Sequence, residues 1–178
     1  ATLQARLIAN QLYAPLSAVK NKTLSINELD RLADMKRWPL YIRSAAGKGV
    51  ASIKAQALRM KADIIFVDYL QLIHERGSSD RYNAITEISI ALHELAQTTG
   101  ILVVALAQLN RNAARAEPSN ADLRESGQIE QDADAILLLS ADGDTYFSRL
   151  TKNKEGRVGN AGLEFDKMTQ RFTCVTAN

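Results

Sequence analysis

The chain of 178 residues has few of the side chains that build disulfide frameworks and metal sites. Its one cysteine, Cys174, excludes an internal disulfide framework and any metal site built from cysteines. Its two histidines, His74 and His93, lie far apart and lack the spacing of metal ligands, which argues against a zinc site. The sequence also has no apolar run of membrane-spanning length and no signal peptide at its start. Together these absences predict a cytosolic protein that does not associate with membranes.

A large excess of charge of one sign is also lacking. The formal net charge is +2, with 24% charged and 46% hydrophobic residues. This balance is ordinary for a soluble globular fold, and it neither establishes nor excludes a nucleic-acid partner. The length predicts one domain over residues 1–178.

A complete phosphate-binding loop is a further absence. The stretch 45–51 places Lys48 between Gly47 and Gly49, but the motif also needs a glycine five residues before the Gly-Lys pair and a Ser or Thr after the lysine. Those positions hold Ile42 and Gly49, so nothing there would wrap a phosphate or reach a magnesium ion. The stretch is therefore interpreted as a turn that leads into a helix.

Periodicity and terminator residues predict alternating helices and strands. Apolar residues of 82–98 fall on one helical stripe that Gly100 ends, and the continuous apolar runs at 64–68 and 101–107 flank it. Such runs are typical of parallel strands buried on both faces. The other predicted helices cover 2–14, about 25–38 (with Ser25 or Asn27 as the cap) and 50–62, and the other predicted strands cover 40–42 and 135–139.

The last part of the chain has a different pattern. Short predicted strands over 146–151, 162–166 and 171–175 are separated by polar or glycine-bearing turns with no helix between them. This pattern indicates antiparallel hairpins added to one edge of the sheet. The preceding polar, basic segment 109–121 is predicted to be a long loop. The predicted fold class is therefore α/β, a mainly parallel sheet with antiparallel hairpins at its C-terminal end.

Two polar side chains mark the ends of neighbouring predicted strands. Asp68 ends the 64–68 run and Gln108 follows the 101–107 run. Because ligands of open parallel sheets bind beyond the carboxyl ends of the strands, both residues are expected at one rim. There an aspartate can orient Mg²⁺ through water, and a glutamine can hydrogen-bond a terminal phosphate or its attacking water. Polar residues are common at strand ends, but the pair followed by a basic loop favours a nucleotide site.

Four segments, in this order and spacing, resemble one protein family. They are FVDYLQL at 66–72, ALAQLNR at 105–111, DLRESGQIEQDADAILLL at 122–139 and TKNKEGRVG at 151–159. This constellation resembles the carboxy-terminal, RecA-like three-layer motor domain of DnaB-type replicative helicases, from about residue 1 to 175. The block that begins with DLRESG is the most specific element.

The resemblance implies roles for individual residues. Asp68 corresponds to the acid that supports Mg²⁺ through water, and Gln108 to the residue that senses the terminal phosphate of ATP. Arg124, Glu125 and Gly127 correspond to the loop that holds single-stranded DNA. There, backbone amides and an arginine would grip phosphates without reading bases.

Lys152 and Lys154 correspond to the basic pair that reaches the nucleotide of a neighbouring subunit. The second position of that pair is typically arginine, and Lys154 keeps the charge but loses the planar, bidentate grip on phosphate. A pair of surface lysines beside a hairpin turn is the competing interpretation.

The resemblance also implies what the protein does. It implies an ATP- and Mg²⁺-dependent, homo-hexameric DNA helicase of a bacterium, phage or plasmid, with single-stranded DNA, a helicase loader and primase as partners. It further implies that the true phosphate loop and the catalytic glutamate lie upstream of residue 1, so the fold as given would be incomplete at its N-terminus. Two alternatives are a RecA- or RadA-like recombinase, and a non-catalytic binding module that has lost its phosphate loop.

We expect the 178-residue chain alone to show no significant ATP hydrolysis. Phosphoryl transfer depends on positioning and charge stabilisation, and the groups expected to cradle the phosphates and activate water are not among its residues. Phosphate release from purified chain measures this. Robust turnover that Asp68→Ala abolishes would contradict the expectation and would favour a phosphate-binding role for Lys48.

Overall fold

The structure, a computed structural model, describes residues 2–74, 80–109 and 127–175. Its helices are α1 Thr2–Leu12, α2 Leu16–Asn21, α3 Ile26–Met35, α4 Val50–Met60, α5 Arg81–Thr99 and α6 Gly127–Asp132. Its strands are β1 Ile64–Val67, β2 Leu102–Ala105, β3 Ala135–Asp142, β4 Thr145–Asn153, β5 Gly159–Asp166 and β6 Arg171–Val175. Most of the loop predicted over 109–121 lies outside the described residues.

Contacts within the chain divide it into two compact units. The first comprises Ala1–Ile42, Leu139–Arg149 and Asn160–Asn178, and the second comprises Arg43–Leu138 and Leu150–Gly159. A domain is a unit that can fold on its own, and these contacts do not test whether either unit does so. The predicted single domain over residues 1–178 therefore stays a prediction.

The second unit is built on a parallel pair of strands. β1 and β2 pair from Ile64↔Leu102 to Val67↔Ala105, and α5 is the helix that connects them. Parallel strands need such a crossover, because a tight turn can join only antiparallel neighbours. The strand–helix–strand arrangement predicted from the sequence is thus confirmed.

Helix α5 supplies the centre of the core in this unit. The four apolar residues of its predicted stripe, Ile85, Ile88, Leu92 and Leu95, are all buried. The side chain of Asp80 accepts a hydrogen bond from the amide of Tyr82 at the start of α5, and Gly100 ends the helix with φ 71. A left-handed C-terminal residue of this kind satisfies the last carbonyls at no steric cost when it is glycine.

One face of the parallel pair lacks a covering layer among the described residues. Ile65, Val67 and Val103 point into the core formed with α4 and α5. The alternating positions form two cross-strand pairs, Ile64 with Leu102 and Phe66 with Val104, and all four side chains are exposed, Phe66 by 67%. Parallel sheets normally have both faces buried, so this surface, which we call the open face, is unusual for the fold.

Two predicted strand features are wrong for the described residues. Residues 135–139 do not continue the parallel pair but begin β3, which lies at the edge of a four-stranded sheet with order β3-β4-β5-β6. The turn at Gly143, with φ 61, returns the chain at once, so β4 is the nearest available partner. Residues 40–42 form no strand, since no neighbouring strand hydrogen-bonds to them within the described sheets.

The first unit contains the predicted capped helix and the C-terminal hairpin. Ser25 and Glu28 form a reciprocal capping box at the start of α3, which ends at Met35 rather than near Trp38. Such a box satisfies two otherwise unpaired amides. β5 and β6 pair antiparallel, and their cross-strand rings Phe165 and Phe172 stack with centroids 4.4 Å apart. The predicted antiparallel pairing is confirmed for β5 and β6, but these strands lie in the separate four-stranded sheet and not at an edge of the parallel pair.

The open face leads us to expect self-association of the 178-residue chain. Apolar strand surface and unpaired edges attract other chains. Light scattering should therefore show oligomers that Phe66→Lys disrupts. Leu58→Lys, on the exposed side of α4 in the same unit, is the matched control and should leave association unchanged. A monodisperse monomer at high concentration, or an equal effect of both substitutions, would show the expectation to be wrong.

Candidate nucleotide-binding and DNA-binding residues

Asp68 and Gln108 lie at the same rim of the second unit. Asp68 directly follows β1 and is exposed, and Gln108 lies three residues beyond β2 and is also exposed. The two segments stay side by side after the strands, because the amide of Leu106 donates to the carbonyl of Val67 at 2.9 Å and the amide of Leu70 donates to the carbonyl of Leu106 at 2.9 Å. The parallel pairing therefore brings both side chains to the carboxyl end, as the sequence predicts.

Gln71 is a further residue at this rim that the sequence analysis did not single out. Its side-chain amide donates to the carbonyl of Gln108 and its side-chain oxygen accepts from the amide of Gln108, both at 3.4 Å. This two-point contact ties the backbone of Gln108 to the segment that follows Asp68. Its position could have indicated it, because Gln71 lies in FVDYLQL just after the end of the strand.

The three predicted DNA-contacting residues are only partly covered by the structure. Arg124 and Glu125 lie outside the described residues. Gly127 is exposed and begins α6, and a Cβ added there would meet no heavy atom within 4 Å. Packing within the described residues therefore does not require glycine at this position.

Lys152 contacts the end of α6. This half-buried side chain on β4 donates from Nζ to the carbonyl of Glu130 and, at 3.3 Å, to the carbonyl of Gln131. Helix α6 has no basic residue in its own last turn. The ammonium therefore supplies the positive charge that the C-terminal end of a helix favours.

Lys154 makes a different contact, with Asp134 before β3. Its Nζ lies 2.6 Å from Oδ1 of Asp134, and its own amide donates to the Asp134 carbonyl at 2.9 Å. The side chains are 45% and 71% exposed, so the ion pair contributes little stability. The two lysines thus lie together where β4 passes the junction of α6 and β3.

The electrostatics of this junction follow from the Lys154 contact. The hydrogen bond from Lys154 lowers the pKa of the Asp134 carboxyl below its ordinary value, desolvation opposes the shift, and the charges of Lys154, His93 and Lys152 lower it further. A carboxyl with a lowered folded-state pKa stabilises the fold above its unfolded pKa. That stabilisation is lost as the pH falls through the folded-state pKa.

The described part of the chain contains no helix long and apolar enough to cross a membrane. It also contains no group of three or more His, Cys, Asp or Glu side chains placed to hold a metal ion.

Two parallel strands joined by a helix and followed by antiparallel strands place the chain in the α/β class. The model of the DnaB-like helicase C terminal domain matches residues 1–174. The chain therefore belongs to the DnaB-like helicase C-terminal domain family.

Individual relatives agree with this assignment. The chain is 34% identical to the replicative DNA helicase DnaB of Treponema pallidum (strain Nichols), over 97% of this chain and 42% of that protein. It is 41% identical to a probable plasmid replicative DNA helicase of Chlamydia muridarum, over 65% of this chain and 27% of that protein. The chain thus spans less than half the length of these curated relatives.

Solved structures show the same fold. A solved ATPase domain superimposes with a TM-score of 0.87 at 29% identity, covering 96% of this chain and 69% of that one. A DnaB-like replicative helicase, described with its interactions with primase, gives 0.84 at 28% identity, covering 94% and 47%. The predicted α/β, RecA-like fold class is confirmed, and the family match favours a helicase over the recombinase alternative.

We expect Lys154→Met to raise the pKa of Asp134 toward its ordinary value, since the variant removes the hydrogen bond that lowers it. A carboxyl-detected NMR titration of the 178-residue chain measures this. Lys152→Met is the matched control and should shift this pKa far less, because Lys152 acts on Asp134 only at a distance. An unchanged titration in Lys154→Met would show that the 2.6 Å contact does not form in solution.

Proposed function

We propose that the chain is the motor part of a hexameric, ATP- and Mg²⁺-dependent replicative DNA helicase that moves along single-stranded DNA. The observation that carries the proposal is the placement of Asp68 and Gln108 at one rim of a parallel strand pair. Phosphoryl transfer is catalysed mainly by positioning and charge stabilisation, for which an acid and an amide at a strand end are suited. The names of the two curated relatives, both replicative DNA helicases, support the same activity.

The rim residues would act on one ATP. Asp68 would hold the water ligands of Mg²⁺, which supplies charge neutralisation to the phosphates when it is bound. Gln108 would hydrogen-bond the terminal phosphate or the attacking water. Its backbone contact with Gln71 would fix that side chain relative to Asp68.

Lys152 and Lys154 would act on the ATP of a neighbouring subunit. The Lys154 side chain is exposed, and its ion pair with an exposed carboxylate is weak enough to exchange for a phosphate. An arginine finger supplied by a neighbouring subunit raises the rate of hydrolysis roughly 10³–10⁵-fold. Since lysine lacks the bidentate geometry, we assign it a smaller effect and expect Lys154→Arg to preserve or raise activity.

DNA would be held by Arg124, Glu125 and Gly127, in the segment between β2 and β3. Contacts to phosphates that carry no base information suit a motor that must pass any sequence. Gly127 is exposed, and no heavy atom of the described residues lies within 4 Å of a Cβ added there, which suits a strand approaching the backbone. A bacterial, phage or plasmid origin, with a loader and a primase as further partners, completes the proposal.

Mixed hexamers of the complete protein test the site. Asp68→Ala and Lys154→Ala should each reduce DNA-stimulated ATP hydrolysis. Rings assembled from both variants contain interfaces with an intact Asp68 on one side and an intact Lys154 on the other. We therefore expect the mixture to regain hydrolysis, measured as phosphate release.

Asp68→Ala mixed with Gln108→Ala is the matched control. Both residues belong to one subunit's rim, so no interface of that mixture has both intact, and no activity should return. Equal recovery in the two mixtures, or recovery in neither, would refute the assignment of Lys154 to the neighbouring subunit. A wild-type hexamer without ATP hydrolysis would refute the helicase proposal as a whole.

A further inference from the structure

Ser89 directs its hydroxyl away from its own helix, α5. The side chain is only 8% exposed, and its Oγ donates to Oδ2 of Asp132 in α6 at 2.7 Å. Thr98 and Thr99 of the same helix instead donate to the carbonyls four residues before them, at 2.7 and 2.6 Å. A hydroxyl within a helix commonly makes this local bond. The buried Ser89 hydroxyl therefore serves the contact between α5 and α6.

Asp132 is the last residue of α6, where a negative charge is unfavourable. Its second oxygen, Oδ1, accepts from Nε2 of Gln128, one turn earlier in the same helix, at 2.7 Å. Each oxygen of this carboxylate thus has a donor, one in α5 and one in α6. Because the helix end itself disfavours an acid, the contact with α5 is what the carboxylate contributes at this position.

Helix α6 depends on contacts of this kind because it is short. It has six residues and begins with Gly127, and isolated helices of this length are unstable in water. Ile129 packs against the main core, and the bond from Ser89 attaches the last residue, Asp132. A helix of six residues spans about 9 Å, so these two contacts together also determine where Gly127 lies.

We propose that Ser89 and Asp132 are positioning residues whose hydrogen bond holds Gly127, and with it the proposed DNA site, in a set place relative to the nucleotide rim. Helix α5 connects β1 to β2, and Asp68 and Gln108 follow these two strands. The inference rests on the proposed function, because it takes the rim and Gly127 as parts of the ATP and DNA sites. Breaking the bond should therefore weaken the coupling between the two sites while the chemistry at the rim continues.

DNA-stimulated ATP hydrolysis by the complete protein, with oligothymidylate as the DNA, tests the pair. Ser89→Ala should raise the DNA concentration that gives half-maximal stimulation about twofold to tenfold, as expected for the loss of one hydrogen bond. The rate without DNA and the maximal rate should stay at wild-type values, because the rim is unchanged. Thr86→Val is the matched control: it removes a buried hydroxyl of α5 that has no partner among the described residues, and it should change none of the three quantities.

A double variant separates one shared bond from two independent effects. Ser89→Ala combined with Asp132→Ala should raise the half-stimulating DNA concentration no further than Asp132→Ala alone, because the bond can be lost only once. Effects that multiply would overturn the proposal. An unchanged concentration in Ser89→Ala would overturn it too, as would a parallel fall in the rate without DNA, which would indicate a general loss of structure.

Hydrogen exchange on the 178-residue chain tests the contact without reference to function. The amide of Ala133 donates to the carbonyl of Ile129 at 3.1 Å and reports on the last turn of α6. Ser89→Ala should speed its exchange about twofold to tenfold, and Thr86→Val should not. Unchanged exchange in Ser89→Ala would overturn the proposal. A wild-type protein whose hydrolysis DNA does not stimulate would refute the proposed function and the positioning role with it, while faster exchange would still establish the α5–α6 contact.

Discussion

The parallel pairing of β1 with β2 is the constraint on which the rest of the second unit depends. The pair forms only if α5 crosses between the two strands, and α5 covers one face of the pair with Ile88 and Leu95. Because both strands run the same way, their carboxyl ends meet at one rim. The shared position of Asp68 and Gln108 therefore follows from the common direction of the two strands.

A second constraint acts where β4 passes the start of β3. Here Lys152 donates to the last turn of α6, and Lys154 forms an ion pair with Asp134. Two side chains at the end of β4 therefore contact the segment that leads from the proposed DNA site through α6 into β3. Linked sites of this kind need an element that both ligands can bias. In this chain the start of α6 borders the segment proposed to hold DNA, and its last turn contacts Lys152 of β4.

The sequence predicted well what depends on local pattern. The buried stripe of α5, the cap at Ser25, the stop at Gly100 and the shared rim of Asp68 and Gln108 all follow from spacing and residue type. It predicted poorly what depends on a distant partner. The apolar pattern of residues 135–139 would fit a strand of either sheet. The pattern therefore does not indicate which strand these residues pair with. Likewise the partners of Lys152 lie 21 and 22 positions away along the chain, and no local spacing indicates them.

The open face affects the register in which β1 pairs with β2. Strands that are polar on one side lose their core contacts when they slip by one position, and this penalty normally selects a single alignment. In β1 and β2 both sides are apolar, so a slipped ladder would still bury aliphatic side chains. Alignment must come instead from a side-chain contact beyond the strand ends, where Gln71 bonds both the amide and the carbonyl of Gln108. The same contacts that set the rim therefore also keep the strands from sliding.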